Sequence, residues 1–388
     1  MEKICLVVQR YGLEVNGGAE LQCRQFAEHL IAYYQVDVVT TKAIDYMTWK
    51  DEYKQDRVNI NGVNVIRFSV ENERNIDEFN EINKLIYEGG IPLNREKEWI
   101  EKQGPKVPEL CAYLRKHKDE YRVFIFFTYL YYPTVIGISE VADKAILIPE
   151  AHDEPFLKMN IIRNVFSLPK AFLYNTEEER QLVNQKFHNQ DIPSELGGVG
   201  VDLPEDINAE RFKKKYGLDK FIVYVGRIDE GKNCNQMFTY FQEYKKRNSG
   251  DLKLVLMGKN VIDIPKDDNI VSLGFVDDQD KFDGMAAAEI LMLPSRFESL
   301  SMVVLEAMSV DTLVLVNGKC TVLKGHCTKS NGALYYNNYY EFEGAVNYLL
   351  SHPEETDIMK ENAKAYVHDN YRWDVITRKL NELICSIG

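Results

Sequence analysis

Two glutamates, Glu298 and Glu306, stand eight residues apart in LPSRFESLSMVVLEAM (293–308), separated by two serines and an apolar run. Carboxylates at both ends of a segment otherwise suited to burial need partners, whether solvent, cations or ligand hydroxyls. Pro294 and Ser295 read as the close of a strand and RFESLS as a loop. Ser299 or Ser301 can then cap a helix that runs from about Met302. At about 100° per residue, eight residues return Glu306 to within about 80° of the direction of Glu298, if both are helical. Glu298, in or before the first turn, can face a ligand at the helix N-terminus, and Glu306 can reach it from the side. The amides of Ser299, Leu300, Ser301 and Met302 would face a phosphate. A surface glutamate plus a buried, paired one accounts for the same residues without a ligand.

Cations stand at a second strand end. VGRIDEGKN (225–233) puts Arg227 directly after Gly226 and Lys232 five residues beyond, near a helix start. Arginine grips a diphosphate bidentately and lysine adds a point charge; two surface cations in a loop is the alternative. In EAHDEP (150–155), His152 is flanked by acids and followed by a proline turn. It can donate to a substrate hydroxyl, although a single histidine is more often structural. VNGGAE (15–20) follows the first apolar run and opens a helical pattern. Gly17 and Gly18 allow close approach of a ligand to the backbone at a helix N-terminus, or serve only as a tight turn. The spacing is not G-x-G-x-x-G, so a dinucleotide fingerprint is absent and a nicotinamide-dependent dehydrogenase is disfavoured.

The elements that must position these residues alternate. ICLVVQ, VDVVTT, NVIRF, VFIFFT, AILIPE and KAFLYN are short apolar runs separated by helical patterns. After the Gly- and Pro-rich stretch at 193–206, a second series begins: FIVYVGR, LKLVLMG, IVSLGF, EILMLPS and TLVLVN. Uninterrupted apolar strands between helices imply parallel sheets covered on both faces. Two series predict two doubly wound α/β domains, over 1–194 and 195–370, with a final helix at 371–388. Ligands of such sheets bind beyond the carboxyl ends of the strands, so a site in a cleft between the domains is expected. Residues 45–62 and 88–106 carry many breakers and read as an irregular insertion. Aromatic residues there can stack on sugar rings or, more commonly, pack in a core.

A chain of 388 residues with 45% hydrophobic and 28% charged content suits a soluble two-domain protein. The N-terminus reads as a first strand, not a signal peptide, and no window is long and apolar enough for a membrane span. Seven cysteines without a C-x-x-C pair fit cytoplasmic free thiols. A formal charge of −13 argues against nucleic acid as partner. The basic runs LRKHK (114–118) and RFKKKYG (211–217) read as solvated helix faces, with peripheral contact to the inner face of a membrane as the alternative.

Together these segments resemble family 4 of the retaining glycosyltransferases, which have the GT-B fold. RFESLSMVVLEAM is similar to that family's E-x7-E signature, VGRIDEGKN to its diphosphate-binding segment, VNGGAE to its glycine loop and AHDEP to its histidine segment. GGVGVD (197–202) is similar to the entry to its second domain, and YRWDVITRKL to its C-terminal crossing helix. The resemblance covers most of the chain and is densest from Phe221 to Asn317.

The resemblance implies an α/β GT-B enzyme that moves a sugar from a UDP- or GDP-sugar to a hydroxyl of a glycan or lipid-linked glycan in cell-surface polysaccharide synthesis. By position, Arg227 and Lys232 hold the donor diphosphate and Glu306 the ribose. Glu298 contacts the donor sugar, supported by the amides of Ser299, Leu300, Ser301 and Met302, and His152 touches a sugar hydroxyl. Gly17 and Gly18 approach the phosphates, and Gly258 and Phe275 border the base. The expected co-substrate is the nucleotide sugar alone. No D-x-D pair stands in the expected place, so no metal is expected. Three departures bear on the donor sugar: Asn233 follows Lys232 where glycine is common, Ser299 and Ser301 replace glycines after Glu298, and SVDTLVLV follows EAM in place of a glycine and proline. A nucleotide-sugar epimerase of the same fold, or a non-catalytic sugar-nucleotide-binding subunit, is the alternative reading.

Overall fold

The computed structural model describes residues 1–15 and 17–387; Asn16 of the VNGGAE segment lies outside them. The chain forms two compact units, Met1–Val199 with Trp373–Gly388, and Gly200–Arg372.

Among the described residues the first unit contains eight strands: β1 (Lys3–Val7), β2 (Gln35–Thr41), β3 (Arg57–Ile60), β4 (Val63–Phe68), β5 (Phe124–Phe127), β6 (Ala145–Ile148), β7 (Ala171–Tyr174) and β8 (Ser194–Leu196). Their order is β3-β4-β2-β1-β5-β6-β7-β8, and every pair is parallel except β3 with β4. FIFF, AILI and AFLY are buried along their whole length, as strands covered by helices on both faces require. Strand order reverses between β1 and β5, where Leu6 pairs with Val38 on one side and Ile125 on the other. The loops after these two strands therefore flank the crevice where such sheets hold ligands.

The second unit contains β9 (Phe221–Val225), β10 (Lys253–Met257), β11 (Ile270–Gly274), β12 (Ile290–Leu293), β13 (Leu313–Asn317) and β14 (Leu334–Tyr336). All are parallel, in the order β11-β10-β9-β12-β13-β14. Here the order reverses between β9 and β12, in register Ile290 with Ile222 and Leu291 with Val223. The last two helices are Pro353–Asn370 and Trp373–Ser386, and the latter belongs to the first unit. There Trp373 meets the Phe26 ring edge-on and Lys379 donates to the Leu196 carbonyl at 2.7 Å.

The region expected to be irregular is regular in part. It holds β3 and a helix, Glu96–Gln103, and both of its tryptophans are core residues. Trp49 donates its indole N–H to the Gln103 carbonyl at 2.7 Å, and Trp99 stacks on Phe156. These rings are buried, so they serve packing and not sugar stacking. The Gly- and Pro-rich stretch at 193–206 likewise contains a strand, β8.

Close approach of two strand ends fixes one glycine. Gly258 has φ +149, and a Cβ there would lie 1.9 Å from the Gly226 carbonyl oxygen. Gly344 lies in the helix Tyr339–Ser351 and faces open space. Gly258→Ala should destabilise by about 2–4 kcal/mol through strain and backbone displacement. Gly344→Ala should stabilise by about 0.8–1.0 kcal/mol through helix propensity. Differential scanning calorimetry checks both, and equal effects would contradict the packing described.

Candidate functional site

In the second unit the loops after β9 and β12 leave neighbouring strands at the reversal of strand order. The β9 loop closes on Asp229, which is 7% exposed. Its carboxylate accepts from Arg227 Nε and, at 2.8 Å, from the Lys232 backbone N–H. Tyr224, at the end of β9, donates its hydroxyl to the Arg227 carbonyl at 2.7 Å. Asn233 then takes a left-handed backbone, φ 61, before the helix Cys234–Arg247. Asparagine tolerates this conformation better than other L residues, and its side-chain amide reaches the Pro294 carbonyl at 3.1 Å. Asn317, closing β13, donates to the same carbonyl at 2.9 Å.

Across the two loops, Lys232 Nζ lies 2.7 Å from Glu298 Oε1. Glu298 is thus not solitary. Its carboxylate meets the lysine that the sequence pairs with Arg227. Glu306, in the helix Met302–Ser309, is held at 3.0 Å by Lys281 Nζ, with side chains 11% and 18% exposed. Lys281 also lies 3.4 Å from Asp278. The arrangement is therefore three acid–base pairs: Arg227 with Asp229, Lys232 with Glu298, and Lys281 with Glu306.

The helix start needs correction. Ser301 occupies the N-cap position, but with φ 70 and without a side-chain capping bond. Its Oγ is buried and unpartnered. A left-handed L residue costs roughly 1–2 kcal/mol, so the surrounding structure must hold it. Met302 begins the helix as expected, and Leu300 is buried beneath the loop. Ser299 lies between Glu298 and Leu300 and does not share the left-handed conformation. Gly258 follows β10 beside Gly226, while Phe275, past β11, is 72% exposed.

The other predicted residues lie in the first unit, after β1 and β6. Gly17 begins the helix Gly18–Leu30 with extended backbone. A Cβ on Gly17 would meet Glu20 Oε2 at 2.1 Å, whereas one on Gly18 would meet open space. Glu20 is anchored beneath the loop by Arg10 Nη2 at 2.6 Å and Gln9 Nε2 at 2.9 Å. His152 Nε2 lies 3.3 Å from Glu154 Oε2, and the Tyr129 hydroxyl donates to the other oxygen of that carboxylate. Buried Glu179 ties two strand ends together, accepting from the Ala151 N–H at 2.6 Å and the Asn175 N–H at 2.7 Å. Burial raises its pKa to about 8, against the opposing pull of those amides and of His152. Glu150 has a left-handed backbone and a buried, unpartnered Oε1. Burial first, then Glu20 and Glu179, raises its pKa well above the usual carboxylate range.

The residues missed by sequence reading are Asp229, Lys281, Asn317 and Glu179. None lies in a motif of its own. Only Asp229, inside VGRIDEGKN, had a local signal. Among the described residues, no group of three or more His, Cys, Asp or Glu side chains is placed to share a metal ion, and no helix is long and apolar enough to cross a membrane. Cations in both basic runs are ion-paired: Arg115 with Glu140, Lys118 with Asp143, Arg211 with Asp206 and Asp283, and Lys215 with Asp280.

Residues 206–366 match the model of a family described as glycosyl transferases group 1. The chain is 24% identical over 409 residues to an uncharacterized glycosyltransferase of Methanocaldococcus jannaschii, covering 97% of this chain and 96% of the relative. It is 24% identical over 191 residues to N-acetylgalactosamine-N,N'-diacetylbacillosaminyl-diphospho-undecaprenol 4-alpha-N-acetylgalactosaminyltransferase of Campylobacter jejuni, covering 47% of this chain and 50% of that one. Among solved structures it is similar to Anabaena HepE in complex with UDP-glucose, with TM-score 0.71, 15% identity and full coverage of both chains. The fold is GT-B, and the comparisons together support a glycosyltransferase.

The raised pKa of Glu179 has a defined sign. The native state holds its proton more tightly than the unfolded chain, so this stability is complete below about pH 4.5 and is lost as pH rises through about 8. Unfolding free energy should therefore fall between about pH 5 and 8.5, and fall less steeply in Glu179→Gln. Denaturant titration followed by tryptophan fluorescence checks this, because all three tryptophans (Trp49, Trp99, Trp373) lie in the first unit. Equal slopes would contradict it.

Proposed function

We propose that the protein is a retaining family 4 glycosyltransferase that moves a sugar from a nucleoside diphosphate sugar to a hydroxyl of a glycan or lipid-linked glycan. The observation that carries this is the 2.7 Å contact between Lys232 and Glu298. It joins the loops of β9 and β12 at the strand-order reversal, with Arg227 in the same β9 loop and the Ser299 to Met302 amides in the β12 loop. Glu298 and Glu306, with the E-x7-E spacing, both belong to this arrangement.

The diphosphate carries its negative charge to the ends of β9 and β12. Arg227 and Lys232 neutralise it, and the amides at the start of the helix Met302–Ser309 add oriented dipoles. Lysine has three N–H donors, so Lys232 can keep Glu298 while reaching a phosphate oxygen. That double contact would place the Glu298 carboxylate beside the sugar attached to the same phosphate. Asp229 keeps Arg227 oriented. Glu306, paired with Lys281, accepts from ribose hydroxyls. Gly258, where even a methyl group has no space, and exposed Phe275 would border the base.

As the bond between the sugar and the diphosphate breaks, charge grows on the leaving phosphate. The cations and amides stabilise it without reorganising. We propose that they do so without a metal ion. The acceptor hydroxyl attacks from the face the diphosphate leaves, and the departing phosphate takes the acceptor's proton, so anomeric configuration is retained. HepE, in complex with UDP-glucose, lends weight to a uridine donor, and the Campylobacter relative, by its name, to a lipid-linked acceptor. Action at the inner face of a membrane follows from such an acceptor.

Nucleoside diphosphate release from UDP- and GDP-hexoses, with and without EDTA, tests the proposal, with NMR reading the anomer formed. Glu298→Gln should lower kcat about 100-fold, the scale of losing one electrostatic contact in a transition state. Lys281→Met should instead raise KM for the donor about tenfold with smaller change in kcat, by leaving Glu306 without its cation. Activity abolished by EDTA, or an inverted anomer, would contradict the mechanism.

A further inference from the structure

The loop bearing Glu298 is held from behind by a histidine. His326, on the helix Thr321–Ser330, is 2% exposed. Its Nε2 lies 2.7 Å from the Leu300 carbonyl oxygen, and its Nδ1 lies 3.0 Å from the Tyr366 hydroxyl. The Tyr366 hydroxyl in turn lies 3.2 Å from that of Tyr371. A carbonyl can only accept, so Nε2 carries a proton and donates it. Tyr371 is anchored as well, since its own carbonyl accepts from the Val201 N–H at 2.9 Å. A partly buried chain of polar groups thus runs from the point where the chain enters the second unit to the carbonyl of Leu300.

The gripped carbonyl belongs to the peptide joining Leu300 to Ser301. That peptide is trans and planar, so its C=O and its N–H point in opposite directions. With the C=O turned to His326, the Ser301 N–H is turned away from it. Ser301 itself holds a left-handed backbone, and its Oγ makes no hydrogen bond that would account for it. Rotation of this one peptide would relax Ser301 and reverse both groups. It would present a carbonyl oxygen where an amide had been, and a carbonyl dipole repels a phosphate.

We propose that His326 is a positioning residue for the donor: its grip on Leu300 O keeps the Ser301 amide directed at the nucleoside diphosphate. Tyr366 and Tyr371 hold the imidazole in place. This rests on the reading of the β12 loop as the diphosphate site. It adds a residue that touches neither substrate nor phosphate and lies outside every motif of the sequence.

Calorimetric titration of the full chain with UDP and GDP, and with uridine and guanosine by competition, tests it. His326→Leu removes the donor, and His326→Gln keeps an N–H that can reach the carbonyl. The expected result is at least tenfold weaker diphosphate binding in His326→Leu, with nucleoside affinity changed less than twofold. His326→Gln should stay within threefold of wild type. Tyr366→Phe, a milder change that keeps the ring, should weaken diphosphate binding about threefold and leave nucleoside affinity unchanged. It serves equally if His326→Leu does not fold. Equal loss of diphosphate and nucleoside would show a merely structural histidine and overturn the proposal, as would unchanged diphosphate affinity in both variants. Wild type that binds neither diphosphate would overturn the reading of the loop itself.

Discussion

Backbone carbonyls tied down by side chains from the core determine the shape of the loops at the reversal of strand order in the second unit. Tyr224 takes the carbonyl of Arg227, Asn233 and Asn317 share that of Pro294, and His326 takes that of Leu300. Pro294 and Leu300 are buried residues, and a buried carbonyl left unpaired costs about 1–3 kcal/mol. Each bond also fixes the plane of one peptide. Two loops without regular structure thereby acquire the rigidity of the strands they leave. Anion binding by backbone amides depends on such rigidity, because a freely turning peptide offers a phosphate an oxygen as readily as an N–H.

Charge is arranged on the same principle. Every cation assigned to the donor has a carboxylate of its own, and every assigned carboxylate in the second unit has a cation. Partly buried pairs add little to net stability, because desolvation offsets most of their attraction. Their value is orientation: Asp229 aims Arg227, Glu298 and Lys232 aim each other, and Lys281 holds Glu306 in a site only slightly exposed to water. On the proposed function, a nucleotide sugar would enter as additional negative charge against groups already in place.

Most of the framework was legible in the sequence, because uninterrupted apolar runs such as FIFF, AILI and ILML have one economical fate, a parallel sheet covered on both faces. The motif residues were legible because they follow those strands directly. Less legible was how residues take the place of the glycines found in the family that the sequence resembles. Asn233 and Ser301 both keep the left-handed backbone that a glycine would supply, and Asn233 adds a hydrogen bond to Pro294. Local pattern marked Ser301 as a capping side chain, and the structure shows an uncapped, strained residue. Lys281, Asn317 and His326 were invisible because their partners are distant in sequence. The helix Glu96–Gln103 was obscured by Gly89, Gly90 and the Gly104–Pro105 step on either side, although Trp99 and Ile100 on its inner face are fully buried.

On the proposed function, the loops of β9 and β12 form a nucleoside diphosphate site. Thermal shift against UDP, GDP and ADP, on wild type and Arg227→Ala without added metal, tests it most directly, since binding to the folded state raises Tm by mass action. One diphosphate should raise the Tm of wild type, and Arg227→Ala should abolish the rise. A wild-type Tm unmoved by all three, or a rise that survives in Arg227→Ala, would contradict it.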